Sequence, residues 1–333
     1  MNKIIEYSKS VKDILELKKY MEVENKKLFD DVKKINAIYI KQKKRKFCKN
    51  CNSRLKKIVF FSFKIPYFFC SNCSHINGGY EDTDFFIKKL YEINKTEYGG
   101  SYFLDYKKKM NMIYKPKVNF LKKVIKSKFD ILDFGCGTGI FLKACEAYKI
   151  YGYGIESNSR MVKFGNKILN KSKIYHRSID QSFNEIKMSN SKCISLISVL
   201  EHLQKPNIVF ENFKKSKSRY LYICVPLFSF SSFVENAFDN VSPRNLFGPH
   251  THLYTRESLK YILSKFKLKI LGEWWFGVDF NDLSRSLKLS FKINNKEIFN
   301  KLFYKYYQSS IDDFQNILDK KKICSEVHLV ISK

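Results

Sequence analysis

The stretch ILDFGCGTGIFL, residues 131–142, decides how the rest of the chain is read. Its first residues form a short apolar run of the kind a buried strand shows, and a helical pattern starts near Gly139 and runs through GIFLKACEAY. Between the two, Gly135, Gly137 and Gly139 allow tight backbone turns and the close approach of a ligand to the main chain. The spacing is G-x-G-x-G, not the G-x-G-x-x-G of dinucleotide-binding turns. Asp133 ends the strand just before the first glycine, and Cys136 sits inside the loop. A second strand-like run, IYGYGI, leads to another acid, Glu156.

Outward from this loop, strands and helices alternate. A helix is expected from about Asn158 to Leu169, then a short strand SKIYH, a fourth strand KCISLIS, a helix near Asn207–Lys214 and a fifth strand RYLYICVP. The helix TRESLKYILSKF, the strand LKILGEWW and a last strand CSEVHLVIS follow. Such alternation predicts an α/β fold with a Rossmann-like, doubly wound, seven-stranded sheet over 129–333. Residues 281–320 lack strand character and read as a helical insertion.

Upstream, residues 1–46 read as a helical segment in which Leu28, Val32, Ile35 and Tyr39 form one apolar stripe. Lys41 to Lys46 reads as a solvated basic connection. Residues 47–80 read as short strands and turns, and 81–128 as an aromatic-rich helical bridge with helices around Thr83–Ile93 and Pro116–Lys126.

Four of the nine cysteines, Cys48, Cys51, Cys70 and Cys73, form C-x2-C-x18-C-x2-C. This is zinc-ribbon spacing, and four thiolates suit a closed, structural tetrahedral Zn²⁺ site. Disulfides or free thiols are the alternative. His75 lies just outside the second pair and is not expected to be a ligand. The other five cysteines read as small buried hydrophobes in a reducing compartment.

The chain has 333 residues and a formal net charge of +30. Almost all of the excess is Lys, in a composition also rich in Asn, Ile, Phe and Tyr, which fits nucleotide bias better than selection for a polyanion partner. Arg is the residue better suited to phosphate and base recognition. No apolar run reaches the roughly 20 residues of a membrane-spanning helix. The opening MNKIIEYSKSVKD has no apolar signal core, so a cytoplasmic location is expected.

The loop with its two acids resembles the class I S-adenosylmethionine-dependent methyltransferases, over about residues 116–333. The resemblance implies that Asp133, Gly135, Cys136, Gly137 and Gly139 surround the cofactor. It implies that Asp133 helps to hold the methionine portion and that Glu156 accepts hydrogen bonds from the ribose hydroxyls. An ionised carboxylate, acceptor-only with two oxygens, suits a vicinal diol. Asp180, followed by Gln181, is the best match for the polar residue near the adenine.

The segment SVLEHLQKP, 198–206, resembles the V-L-E-H segment of small-molecule methyltransferases, which implies that Glu201 joins the cofactor-binding residues and His202 the acceptor side, where the fourth strand meets cofactor and substrate. There is no Asn-Pro-Pro-Tyr of the type used on base amino groups. Some relatives bind a divalent metal through E-x-x-E-H and a later His; Ser198 stands here in place of the first Glu. PHTHLYTRESLKYIL, 249–263, looks like methyltransferases of bacterial surface-polysaccharide pathways, with Arg256 as a departure from their pattern. A zinc-binding module ahead of the domain also resembles some sugar methyltransferases, and it occurs in RNA-modifying enzymes. His202, His250 and His252 are the candidate general bases, since imidazole exchanges protons near neutral pH. The resemblance implies a small-molecule acceptor, a sugar or nucleotide-sugar. An RNA acceptor gripped by the ribbon and surface lysines is the runner-up.

Overall fold

The computed structural model describes residues 3–10, 17, 20–94, 106–247 and 250–333. The part of the bridge at 95–105 and Pro249 of the histidine-bearing block lie outside the described residues. The strands in chain order are β1 (Ile4–Tyr7), β2 (Ile58–Ser62), β3 (Ile65–Phe69), β4 (Ile76–Gly78), β5 (Ile131–Phe134), β6 (Gly152–Glu156), β7 (Lys173–His176), β8 (Cys193–Ile197), β9 (Tyr220–Pro226), β10 (His252–Leu253), β11 (Lys269–Phe276) and β12 (Glu326–Ser332).

Two sheets result. The larger has the order β1-β11-β12-β9-β8-β5-β6-β7. Strands β5 to β9 run parallel, and β12 inserts antiparallel between β9 and β11. All four residues of β5 are buried, as a strand covered on both faces requires. One face carries Leu132, Phe134, Ile194, Leu196, Ile223 and Val225 in one apolar cluster. The other carries Phe120, Phe141, Tyr222, Trp274 and Val330 in a second. The helices are started by local chemistry. The Asn158 side chain accepts the Arg160 and Met161 N–H groups at the head of Ser159–Ile168. Reciprocal capping boxes formed by Ser178 with Gln181 and by Thr255 with Ser258 start Ile179–Met188 and Arg256–Lys265.

Seven of these strands lie where the sequence predicts them, but the sheet has eight. The extra strand, β1, pairs parallel with β11 inside the segment read as helical. Four residues are too few for a periodicity to show. The β-branched pair Ile4-Ile5 and the alternating exposure of IIEY are nevertheless those of an edge strand. The helix Asn25–Tyr39 does form, and it buries Val32, Ile35 and Tyr39 of the expected stripe. The stretch read as an insertion is three helices, Asp279–Ile293, Glu297–Tyr307 and Ile311–Lys320.

The smaller sheet has the order β10-β4-β3-β2. Its first three strands come from the cysteine-rich segment. The fourth, β10, comes from the segment after β9 and pairs antiparallel with β4. Ile35 and Tyr39 of the N-terminal helix pack with Ile65, Tyr67, Ile76, Phe86, Leu246 and Leu253 in one cluster. The ribbon is therefore built into the fold. The basic run 41–46 is not wholly solvated: Arg45 is buried, donating to the carbonyls of Gly78 and Tyr80 and to Asp82. A planar guanidinium with five donors can be buried when carbonyls and carboxylates meet them all around.

Candidate active site

The Gly-rich loop leaves the C-terminal end of β5 with Gly135, Gly137 and Gly139 at φ of 65°, 55° and 71°. These left-handed conformations favour glycine. At Gly135 space matters too, since a Cβ would meet Val199 Cγ2 at 2.9 Å. Glu156, at the end of β6, locks the loop from beside it. Its carboxylate accepts the Gly137 N–H at 3.0 Å and the Asn158 N–H at 2.8 Å, one on each oxygen. The Ser157 hydroxyl also donates to the oxygen that takes Asn158, at 3.4 Å, and the oxygen facing Gly137 keeps a lone pair for a further donor. Asp133 is buried and accepts the Ser195 hydroxyl at 2.6 Å. Burial raises its pKa to about 7, so a cationic ligand beside it would favour the ionised form. Cys136 packs beneath Gly154, where a Cβ would meet its sulfur at 2.4 Å. Asp180 is exposed in the first turn of the helix after β7.

The second half of the candidate site begins where β8 ends. Ser198 has φ of 54°, an unusual conformation for a non-glycine residue and one that often marks functional turns. The short turn Leu200–His202 follows. Glu201 is buried, and one of its oxygens has no hydrogen-bond partner. Burial raises its pKa to about 8. The His202 and His250 rings lie side by side, centroids 4.8 Å apart, and His202 Nε2 is 3.9 Å from a Glu201 oxygen. The side chain of His202 is 39% exposed, so it reaches open space. His250 Nδ1 faces the Asn245 carbonyl at 3.2 Å. Facing an acceptor, Nδ1 carries the proton and Nε2 keeps its lone pair. Burial pushes the His250 pKa well down, which favours the neutral ring. The donor atoms of Glu201, His202 and His250 lie within 4.8 Å of one another, so this trio could also hold a divalent cation.

The third histidine lies elsewhere. His252 is fully buried in β10, with Nδ1 2.9 Å from His75 Nε2 and its ring against Tyr254. Pairing of β10 with β4 turns its side chain into the seam between the ribbon and the larger sheet. His75 also touches the Ser258 hydroxyl at 3.2 Å.

One group escaped the sequence reading. Under the helix Lys115–Val124, Lys117 Nζ sits 3.7 Å from Cys224 Sγ and 3.8 Å from Glu326. Glu326 bonds His328 Nε2 at 2.8 Å, and His328 Nδ1 bonds the Tyr222 hydroxyl at 2.6 Å. Burial alone would raise the Glu326 carboxyl, but Lys117 and His328 outweigh it and hold it well below the usual range. Burial lowers the His328 pKa to about 4, so that ring is neutral. Cys224, Glu326 and His328 could in principle ligate a metal. The cation already beside them is the Lys117 ammonium. The available signal was Glu326 and His328 two residues apart in an otherwise apolar strand, which puts two polar groups on one buried face.

The four ribbon sulfurs also lie within 4.8 Å of one another, with Cys48 to Cys73 at 3.7 Å and Cys51 to Cys70 at 3.4 Å. Bonds of about 2.3 Å from a tetrahedral zinc set sulfurs roughly 3.8 Å apart, so the arrangement fits such a metal. Asn77 and Asn50 donate to Cys48 and Cys73 at 3.4 and 3.6 Å, as groups supporting thiolates do. The ribbon is fastened to the acceptor side. Buried Lys49 pairs with Asp82 and donates to the Leu203 carbonyl at 2.7 Å and to the Thr251 hydroxyl at 3.3 Å. Asn50 donates to the Ser258 carbonyl at 2.9 Å.

Comparison with known proteins agrees with this geometry. A family described as a methyltransferase domain matches residues 106–273, just over half of the chain. The chain belongs to that family. Its fold is that of the class I S-adenosylmethionine-dependent methyltransferases, and it is an enzyme of that activity. No curated protein sequence matches it. Among solved structures it is similar to an S-adenosylmethionine-dependent methyltransferase from Archaeoglobus fulgidus, at 17% identity and a TM-score of 0.41, over 66% of this chain and 92% of that one. A magnesium protoporphyrin IX methyltransferase from Synechocystis with bound S-adenosylhomocysteine aligns at 10% identity and a TM-score of 0.43, over 75% and 97%. An O-methyltransferase of a polyketide synthase from Brevibacillus brevis, in complex with S-adenosylhomocysteine, aligns at 15% and 0.39, over 67% and 73%.

Proposed function

We propose that the chain methylates a hydroxyl group of a small molecule, a sugar or sugar-linked group of surface-glycan biosynthesis, with His202 as general base. The observation that carries this reading is the His202–His250 pair beside Glu201, at the same sheet edge as the Gly-rich loop. Asp133, Gly135, Gly137 and Glu156 would hold S-adenosylmethionine, which supplies an electrophilic methyl group on a sulfonium. Glu156 has two oxygens for the ribose diol, and the loop backbone, free of side chains, can approach closely. The chain's remaining task is alignment and proton removal. His202, reaching open space, takes the acceptor proton. Neutral His250 packs against it and fixes its ring, and the Glu201 carboxyl, 3.9 Å from Nε2, is the acid nearest to it. His252, sealed in the ribbon seam, supports the loop that carries His250. Four ribbon thiolates hold a structural zinc.

An RNA acceptor would require lysines running from ribbon to cleft. Two cations in and beside the ribbon, Arg45 and Lys49, are instead buried and paired with Asp82. That favours the small acceptor. The test is methyl transfer from labelled cofactor to a panel of nucleotide-sugars and to bulk RNA. Label found in RNA and in no sugar would overturn the proposal.

A further inference from the structure

The helix Glu297–Tyr307 has no buried residue along its eleven positions. Its large side chains are open to solvent: Ile298 is 62% exposed, Phe299 56%, Leu302 41%, Tyr306 60% and Tyr307 53%. At about 100° per residue Ile298, Phe299, Leu302 and Tyr306 fall within about 100° of the helix surface. Phe303 and Tyr304, on the surface adjoining this stripe, are partly covered, with the Lys288 ammonium 5.3 Å from the Tyr304 ring. The stripe is thus the outward face of a helix whose inner face is already packed. Soluble chains seldom leave a contiguous apolar surface of this kind without a use for it.

One border is basic. Lys301 and Lys305 line one side of the stripe on the helix itself, and exposed Lys292, in the last turn of the preceding helix, and Lys296 stand before it, with Glu297 the acid among them. Apolar side chains rimmed by ammonium groups match an interface where acyl chains lie beneath anionic headgroups. A second copy fits less well, since a two-fold contact would press this lysine rim against itself.

We propose that this helix is a peripheral membrane anchor, laying Ile298, Phe299, Leu302 and Tyr306 into the headgroup boundary of an anionic bilayer. The inference stands on exposure and charge and does not depend on the acceptor. One short helix makes the attachment reversible, and no helix of the described residues is long and apolar enough to span a membrane.

The test is sedimentation of the full chain with vesicles of phosphatidylcholine alone and of phosphatidylcholine with phosphatidylglycerol. The triple variant Ile298→Ser, Leu302→Ser, Tyr306→Ser keeps every charge and alters only exposed positions. The wild type should partition onto the anionic vesicles, and the triple variant should do so at least about tenfold more weakly. A Trp placed by Phe299→Trp should shift its emission to the blue on those vesicles. Equal binding of wild type and triple variant would reduce the effect to general charge and overturn the proposal. So would failure of the wild type to bind, or a wild-type dimer in light scattering that the triple variant abolishes.

Discussion

His75 and His252 share a hydrogen bond of 2.9 Å between ring nitrogens, joining the cysteine-rich ribbon to the strand that follows the His250 loop. Since Lys49 from the same ribbon holds the Leu203 carbonyl, both ends of the acceptor side rest on the ribbon. Metal removal should therefore be felt at the reaction centre. Purified protein should carry one zinc per chain. Cys48→Ser or Cys70→Ser should lose it, destabilise the ribbon and lower turnover, because metal binding and folding are coupled. Elemental analysis and activity on the same preparations check this. A Cys48→Ser protein lacking zinc but with wild-type turnover would separate ribbon from catalysis.

Replacing Glu156 by Ala removes two acceptors and the lock on the Gly137 N–H. Cofactor affinity should fall by about 10- to 150-fold, since hydrogen bonds to a charged group are worth roughly 1.5–3 kcal/mol. Calorimetric titration measures it. Unchanged affinity would take Glu156 out of the cofactor site.

His202→Ala should lower turnover by about 10²- to 10⁴-fold with cofactor affinity nearly intact, as loss of a general base does. His250→Ala should give a smaller loss. Turnover at saturating cofactor, paired with a binding titration, distinguishes these outcomes from a folding defect. If chelation lowers turnover as much as His202→Ala while the ribbon keeps its zinc, the Glu201–His202–His250 trio holds a metal instead.

Burial raises Asp133 to about 7 and Glu201 to about 8. Both folded values lie above the unfolded ones, near 4. Between those limits the folded state binds more protons at these two groups, so their own contribution to the stability of the ligand-free chain should fall as pH rises from about 4 to about 8, against the opposite contribution of the buried neutral histidines. Denaturant midpoints of wild type and Glu201→Gln at about pH 5 and pH 8 test the sign: relative to the variant, the wild type should lose stability between the two. A wild-type-minus-variant difference that does not fall with pH would contradict the burial of Glu201.

Lys117→Met leaves Glu326 without its ammonium partner in a buried site. Breaking one side of such a pair costs about 3–5 kcal/mol. The pair Lys117→Met, Glu326→Gln should recover most of that loss in a denaturant melt. If the single variant is as stable as wild type, water or another cation is doing the work of Lys117.

The parallel strands and the helices between them were legible because a strand covered on both faces must be apolar and its exits must turn. Residues 131–142 show both features. Asp133, Glu156, Glu201 and His202 were legible because they sit at strand ends, where order along the chain fixes place in space. The four cysteines were legible because short loops hold their spacing. What the sequence hid was long-range pairing. Nothing local marks β1 as a partner of β11, or residues 252–253 as the fourth ribbon strand. His252 read as a candidate base because nothing local marks its strand, and the meeting of Lys117, Cys224 and Glu326 depends on three elements brought together by the sheet. Arg45 read as solvated because its acceptors, Gly78, Tyr80 and Asp82, lie more than 30 residues away.

The borrowed ribbon strand also sets an order of assembly. The cysteine corner closes within residues 48–73 and can capture its metal as soon as that stretch exists. The His75–His252 contact spans 177 residues, so β10 can dock only after the segments through β9 have been made. Contacts of such separation form slowly, because a long loop must close before they repay its entropy. Until then the outer edge of β4 is an unpaired strand, open to other chains. A nascent chain halted before residue 250 would have all four ribbon cysteines in hand and still be prone to stick to its neighbours.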